Sequence, residues 1–280
     1  MIIDSHTHIF KPGIIHKKEY YFDDKTFSFL YSNKNSKMID HEVMLNSMNA
    51  DGIDRVVAMG FPWEKEKYCD EQNIYFKDIM ALSCGRIIPF GSVPLKKESK
   101  IDRWVKEIKD MGFAGIGEIA FYTGGMNKNN EVLLRKILES AACHSMPVNL
   151  HVNEPVGHYY PGKYNTDLTA LYSIIKDYPD IPIILAHWGG GLFFYELMPE
   201  INDAFTNIYY DTAASPFLYK DDIYDIAVKI IGSERILFGS DFPLINFKRY
   251  IDSISKSVGK KENRENILGR NAAKILGLDK

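Results

Sequence analysis

The sequence predicts a (β/α)8 barrel, a single α/β domain of eight parallel strands wrapped by helices. Three observations predict it. Short β-branched runs recur about every 33 residues between His8 and Asp241, the size of one βαβ unit. Segments of helical period lie between them. The runs are nearly unbroken in apolar residues (IIPFGSV, PIILAH, RILFGS), which is how strands look when both faces are covered. Eight alternations is the number that closes a parallel sheet on itself. An open doubly wound sheet is the competing architecture. It would normally carry a glycine-rich phosphate loop after the first strand, and here that place holds HTHIFKPG.

In chain order, the strand-like runs cover residues 2–8, 54–60, 86–93, 115–120, 147–152, 182–187, 207–212 and 235–241, most of them ending in polar or glycine residues. The first is followed by a long connection, residues 10–38, rich in Phe and Tyr (YYFDDKTFSFLYS). It is expected to form a lid or pocket wall, because long structured loops on barrels tend to serve function. A helix over 40–51 comes next, with Asp40 at its N-cap and Gly52 at its C-cap. Residues 101–111 form another that stops at Gly112, and 130–144 place Val132, Leu133, Ile137, Leu138 and Ala141 at helical spacing. Further helices fit 167–178, 192–204, 220–231 and 247–258, with Pro179 and Pro182 punctuating the turn after the first of these. The chain ends in one more, ENRENILGRNAAKILGL, and the charged runs at 96–100 and 260–265 fit solvated helix ends. No strong boundary interrupts residues 1–280, so one domain with an insertion at about 10–38 is expected.

Composition narrows the function classes. A 45% hydrophobic, 25% charged chain is ordinary globular material and excludes intrinsic disorder. A net charge of -3 gives no general reason for polyanion binding, so no nucleic-acid partner is expected. The three cysteines (Cys69, Cys84, Cys143) are odd in number, scattered and without a CxxC pair, which argues against a disulfide scaffold or cysteine-built zinc knot and fits a reducing compartment. Asp4, His6 and His8 stand where a signal peptide needs apolar residues, and no run approaches 18 apolar residues. A cytoplasmic protein without a membrane partner is expected.

The chemistry collects at strand ends. The first, fourth, fifth, sixth and eighth strands end DSHTH, GEIA, LHVN, AHW and GSD, each with a metal-capable side chain at the C-terminal mouth, where barrel enzymes build their sites. Residues two apart on a strand share a face, so Asp4, His6 and His8 point one way and two imidazoles can reach one ion. A lone HxH is a weak signal. With His151, His187 and Asp241 on three other strand ends it becomes a strong one. Imidazoles and a carboxylate without a thiolate suit Zn2+, and also Mn2+, Fe2+ or Co2+. Such an ion lowers the pKa of a bound water toward about 7.

MIIDSHTH, His151, His187 and FGSDFP together resemble the amidohydrolase superfamily, specifically its amidohydrolase-related branch, which includes aminocarboxymuconate-semialdehyde decarboxylase-like enzymes. The likeness runs the length of the chain to ILGRNAAKILGL. It implies a distorted TIM barrel of amidohydrolase type, with His6, His8, His151 and Asp241 as metal ligands. It implies for His187 either ligation of a second ion or, in one-ion members, acid/base catalysis and substrate contact. One departure matters. Many two-ion members carry a carbamylated lysine at the end of the fourth strand, whereas this chain has GIGEIAFY, more similar to the metal-dependent deoxyribonuclease branch, where a glutamate bridges. Glu118 is therefore a candidate bridging ligand; otherwise it supports the ligands from behind or is a salt-bridged barrel residue.

The expected activity is a metal-dependent hydrolase that uses a metal-activated water on a small carboxylated substrate, with one or two divalent ions, foremost Zn2+. Asp241 could both touch the ion and take the water's proton, as in the family resembled, and His187 could polarise the substrate or protonate the leaving group. The alternative is a metal-dependent non-oxidative decarboxylase with the same ligands, in which the ion polarises the substrate. A bridging Glu118 favours hydrolysis, and a single ion favours decarboxylation. A non-catalytic binding barrel is a third reading, disfavoured by the full ligand set. In the loop HVNEPVGHYYPGKY, Lys163 or His158 could hold a substrate carboxylate, or the loop is simply solvated. Trp188 and the glycines at 189–191 would let backbone approach the pocket, and Asp211 would contact substrate or cap the next turn. Asp4 is expected to be structural, and His16, His41 and His144 ordinary surface or helix residues. The partner is a small molecule; self-association into a homo-oligomer is left open.

Overall fold

In the computed structural model, residues 1–96 and 100–278 are described. Eight strands follow one another: β1 Ile3–Thr7, β2 Arg55–Ala58, β3 Ile87–Gly91, β4 Gly115–Ile119, β5 Val148–Leu150, β6 Ile183–Leu185, β7 Ile208–Asp211 and β8 Ile236–Leu237. They pair in chain order and parallel throughout, with helices in the connections, which is the (β/α)8 TIM barrel. The seam between β8 and β1 closes through irregular backbone. Ser5 N–H donates to Phe238 O (2.7 Å), Asp241 N–H to His6 O (3.0 Å) and His8 N–H to Phe242 O (2.8 Å). That seam sets the two ends of the chain's chemistry, His6–His8 and Asp241, side by side.

Every strand stops short of its expected end, by one to four residues. His151, His187 and Asp241 lie just beyond β5, β6 and β8 rather than within them. His187 and Asp241 take left-handed backbone, φ 56° and 60°, which a β-ladder cannot continue. The helix His41–Asp51 has the expected caps: the Asp40 carboxylate accepts from Glu42 and Val43 N–H, and Gly52 turns left-handed at φ 71°. Asn127 and Asp167 cap Lys128–Cys143 and Leu168–Ile175 in the same way.

Two connections differ from expectation. Residues 192–204 are not one helix: a left-handed corner at 187–191 leads into short 3-10 backbone ending at Leu197, and a separate helix Pro199–Ala204 follows, because Pro199 has no N–H to extend a helix and starts one instead. Between β2 and β3, where no helix was expected, the 17-residue helix Glu66–Leu82 packs on the barrel. Its inner face is partly polar. Gln72 Oε1 accepts from Phe61 N–H and Trp63 Nε1–H, and Asn73 exchanges two bonds with the backbone of Ser92. Those buried amides interrupt the apolar period by which a helix is recognised.

The insertion after β1 is not a hinged lid. It folds into helices Pro12–His16 and Lys25–Tyr31 around a 3-10 turn, Lys18–Tyr21. Phe27 is fully buried and stacks on Trp63 (ring centroids 4.8 Å apart) and Tyr31 (5.0 Å). Asp24, also fully buried, accepts from the N–H groups of Phe27, Glu64 and Lys65. A segment tied into the core at both a carboxylate and an aromatic cluster is a fixed wall. Residues 97–99 of the charged run at 96–100 lie outside the described residues. Among the described residues, no helix is long and apolar enough to cross a membrane.

Candidate metal centre

The seam and the ends of β4, β5 and β6 bring six side chains together. His6, His8 and Asp241 form one group and Glu118, His151 and His187 another, and within each the donor atoms lie within 4.8 Å of one another. Glu118, on β4, stands between them. Its Oε1 is 2.7 Å from His151 Nδ1, 3.5 Å from His187 Nε2 and 3.8 Å from His6 Nε2, while Oε2 is 3.8 Å from His8 Nε2. Asp241 Oδ1 lies 3.1 Å from His8 Nε2 and 4.0 Å from His6 Nε2.

Ring tautomers follow from the fixed partners. His187 Nδ1 faces the Ala213 carbonyl at 3.1 Å; a carbonyl only accepts, so Nδ1 carries the hydrogen and Nε2 the lone pair of the neutral ring. His6 Nδ1 donates to Asp211 Oδ2 at 2.8 Å, which leaves Nε2 for the centre. His6 Nε2 then faces His8 Nε2 at 3.1 Å, and His187 Nε2 faces His151 Nδ1 at 3.1 Å. The second nitrogen of each pair also faces a carboxylate, His8 Nε2 facing Asp241 Oδ1 at 3.1 Å and His151 Nδ1 facing Glu118 Oε1 at 2.7 Å, so each pair shares either a proton or a cation with an acid. A nitrogen and carboxylate donor set without thiolate fits a divalent ion.

The electrostatics agree. Burial raises the cost of charge here, yet His6, His187, Glu118 and Asp241 are all shifted toward their charged forms. Burial by itself would depress His6, but the charges of Asp211 and Glu118 push it up to about 10. His187 is likewise carried against burial to about 9, by its bond to Glu118 and the charge of Asp241. Glu118 falls well below the ordinary carboxylate value despite complete burial, because His151 and His6 face it. Asp241 is lowered against burial by His8, and Asp211 by His6. Without an ion, protons supply the positive charge that these carboxylates demand, and a divalent ion would displace them.

A cavity of about 730 Å³ opens onto this cluster, with His8, Glu118, His151, His187 and Asp241 on its floor. Leu30, Tyr31, Phe61, Tyr122 and Phe217 are among its walls. Of the four residues expected to touch substrate, only His158 borders the cavity. The other three lie outside its lining. Lys163 directs Nζ to the backbone carbonyls of Val156 and His158, satisfying its charge locally. Trp188, turned inward by its left-handed backbone, is fully buried against Phe193 and Tyr224 and donates Nε1–H to Ser215 Oγ at 2.7 Å. Asp211 is fully buried behind His6. Tyr122 was not among the expected site residues, although its hydroxyl lies 3.3 Å from His151 Nδ1. The signal was the aromatic pair directly after the strand end in GIGEIAFY.

Comparison with known proteins places these features in context. The Amidohydrolase family model matches residues 3–278. A curated relative, 2-amino-3-carboxymuconate-6-semialdehyde decarboxylase of Dictyostelium discoideum, is 24% identical over 99% of this chain and 92% of its own. Among solved structures, 2,6-dihydroxybenzoate decarboxylase from Rhizobium superposes with a TM-score of 0.71 at 17% identity, covering 100% of this chain and 99% of that one. A 5-carboxyvanillate decarboxylase from Novosphingobium aromaticivorans, complexed with manganese and 4-hydroxy-3-methoxy-5-nitrobenzoic acid, superposes with a TM-score of 0.75 at 14% identity, covering 99% of this chain and 96% of that one. At these identities the structural matches establish the shared barrel.

Proposed function

The chain belongs to the amidohydrolase family, and from that premise we propose that it is a metal-dependent, non-oxidative decarboxylase of a small unsaturated or aromatic carboxylic acid. The observation that carries the reading is the cavity: aromatic and aliphatic walls above a floor of metal-donor side chains. The end-to-end relationship to a curated decarboxylase supports it, in preference to the hydrolase expected from the strand-end residues. In this reading residues 1–280 work as one domain.

His6, His8, His151 and Asp241 would hold the ion, with Glu118 and His187 in reach of a second. Manganese in the carboxyvanillate decarboxylase structure makes Mn2+ a candidate beside Zn2+, Fe2+ and Co2+. The bound ion would draw electron density from the substrate and stabilise the charge left as CO2 departs. The chain's own residues do the rest. Leu30, Phe61 and Phe217 strip water from the carboxylate, which favours the uncharged CO2 product. The C–C bond breaks, its electron pair stays on the substrate carbon, and a proton must reach that carbon. His187 in its doubly protonated form is placed to deliver it and becomes neutral in doing so, since Ala213 O holds the ring through Nδ1–H and leaves Nε2–H at the cavity floor. His158 at the wall is placed to meet a second polar group of the substrate.

Hydrolysis is the second reading, favoured by one observation: Glu118 directs one oxygen toward each donor group, as a carboxylate shared by two ions would. Asp241 would then take the proton of an attacking water and His187 would protonate the leaving group. One experiment separates the two. Panels of aromatic and unsaturated acids, and of carboxylated amides and esters, are incubated with Mn2+- and Zn2+-loaded protein in D2O and in H2(18)O. Decarboxylation releases CO2 and puts deuterium on the carbon that carried it. Incorporation of 18O into a cleavage product with no CO2 released would overturn the decarboxylase reading.

A further inference from the structure

We infer that Asp211 is the positioning residue of this site: its one buried carboxylate sets the ring tautomer of His6 and pins the backbone of His187, so both donor groups hang on a single side chain. The inference rests on the metal-centre reading above.

Asp211 ends β7 and is fully buried. Its Oδ2 accepts from His6 Nδ1–H at 2.8 Å and from Asn149 Nδ2–H at 3.2 Å. Its Oδ1 accepts from the backbone N–H of His187 at 2.9 Å and of Ala213 at 3.0 Å. Four donors meet the four lone-pair sites of one carboxylate, which saturates it. The two histidines it serves belong to different donor groups.

The residues that follow Asp211 extend the grip. Ala213 O takes the His187 Nδ1–H, and Ser215 Oγ takes the indole N–H of Trp188. His187 and Trp188 both carry left-handed backbone, φ 56° and 59°, which non-glycine residues hold only where the surroundings over-determine them. The segment 211–215 supplies three of those determinants. It turns a strained corner into a fixed direction for the His187 ring.

The His6 bond acts through chemistry rather than strain. A carboxylate can only accept, so it commits the hydrogen of His6 to Nδ1 and keeps Nε2 bare for an ion. An amide in the same place cannot do this. In Asp211→Asn the side-chain oxygen would stay with the two backbone N–H donors, which puts the new NH2 against His6 Nδ1 and the Asn149 amide. His6 escapes the clash of donors by moving its hydrogen to Nε2, where it blocks the ion.

The test measures ion binding, not turnover. Mn2+ and Zn2+ affinities are measured by chelator competition on wild type and Asp211→Asn, with circular dichroism confirming the fold of both. The expected result is a variant that folds and binds roughly 10–100-fold more weakly, the usual loss when a carboxylate behind a ligating histidine is removed. If wild type binds no ion, the metal-centre reading fails and this inference with it. If wild type binds and Asp211→Asn binds within threefold of it, the Asp211 assignment alone is overturned. Should the variant not fold, 15N NMR of zinc-loaded, ring-labelled wild type decides: hydrogen on Nδ1 of His6 supports the assignment, and hydrogen on Nε2 overturns it.

Discussion

Two neighbouring glycines offer a measurement of how tightly the His187 corner is held. Gly190 and Gly191 are both left-handed, φ 58° and 88°, but they face different surroundings. A Cβ on Gly191 would meet only the Tyr219 hydroxyl at 3.6 Å and Phe194 Cδ2 at 3.7 Å, ordinary contact distances. A Cβ on Gly190 would overlap the backbone carbonyl of Asn153 and crowd Val152 Cγ1 at 3.1 Å. Gly191→Ala therefore meets backbone strain alone, roughly 1–2 kcal/mol, partly offset by the lower entropy of the unfolded chain. Gly190→Ala meets the same strain plus an overpacking cost of about 1–3 kcal/mol, because a main-chain carbonyl cannot swing aside as a side chain can. Its total should come to roughly 2–5 kcal/mol.

The assay is urea unfolding of both variants and wild type, ion-free, so that metal binding does not mask the difference. Asn153 lies two residues past His151, so the carbonyl can yield only by moving the β5 end, and Gly190→Ala should also weaken ion binding while Gly191→Ala leaves it close to wild type. Equal destabilisation by the two substitutions, or a loss below about 1 kcal/mol for Gly190→Ala, would refute the claim that the corner packs rigidly on the β5 end.

Three further outcomes are expected. Phe27→Ala should lose roughly 3–5 kcal/mol in denaturant unfolding, as for a fully buried ring; a loss under about 1 kcal/mol would restore the insertion to the status of a detachable lid. Mn2+ at a hundred times its Kd should stabilise the protein by about 2.7 kcal/mol over chelator-treated samples. In the same thermal scans, His6→Ala should abolish that gain and His41→Ala should keep it; a full gain in His6→Ala would remove His6 from the centre. Asp4 is pushed up to about 7 by burial, against its bonds from Ser240 and His6 N–H. Its folded pKa lies above the unfolded one of about 3.9, so the native state holds the extra proton, and ion-free stability should fall as pH rises between about 4 and 7. Asp4→Asn should remove that part of the slope, and parallel profiles for the two proteins would show that Asp4 does not titrate in this window.

The barrel was legible because its signal is repeated: eight apolar runs at a steady interval say more than any one of them. The donor residues were legible because barrel enzymes place function at strand ends, and histidines and acids at such ends need only a local motif to be seen. What escaped is set by partners that no local motif names, most of them distant in sequence. Asp211 was one acid at a strand end until its bonds to His6, 205 residues away, and to the His187 backbone gave it a task. The helix Glu66–Leu82 hid behind Gln72 and Asn73, whose burial depends on the backbone they cap. Lys163 looked available for a carboxylate because nothing local announces that it bonds the carbonyls of its own loop.

The same donors could serve hydrolysis or decarboxylation, so in the proposed function the walls decide. Hydrolysis needs water held in line with the substrate; decarboxylation is served by keeping water out until a defined proton arrives. Several polar groups near the mouth are already engaged: Lys37 Nζ on the Leu244 carbonyl, and the Tyr160 hydroxyl on Glu154 and Asn153. The insertion adds Leu30 and Tyr31, braced from behind by Phe27 and Trp63. An apolar wall this close to the donor cluster strengthens the charge interactions beside it and leaves His187 Nε2 among the few proton sources at the floor. In the proposed function residues 10–38 thus shape the chemistry rather than merely gate it. Opening that wall with a smaller polar side chain, as in Leu30→Ser, should admit water and slow CO2 release while leaving Mn2+ affinity unchanged, since an aliphatic side chain supplies no ligand atom. Release at the wild-type rate from that variant would show that the wall is not what selects the reaction.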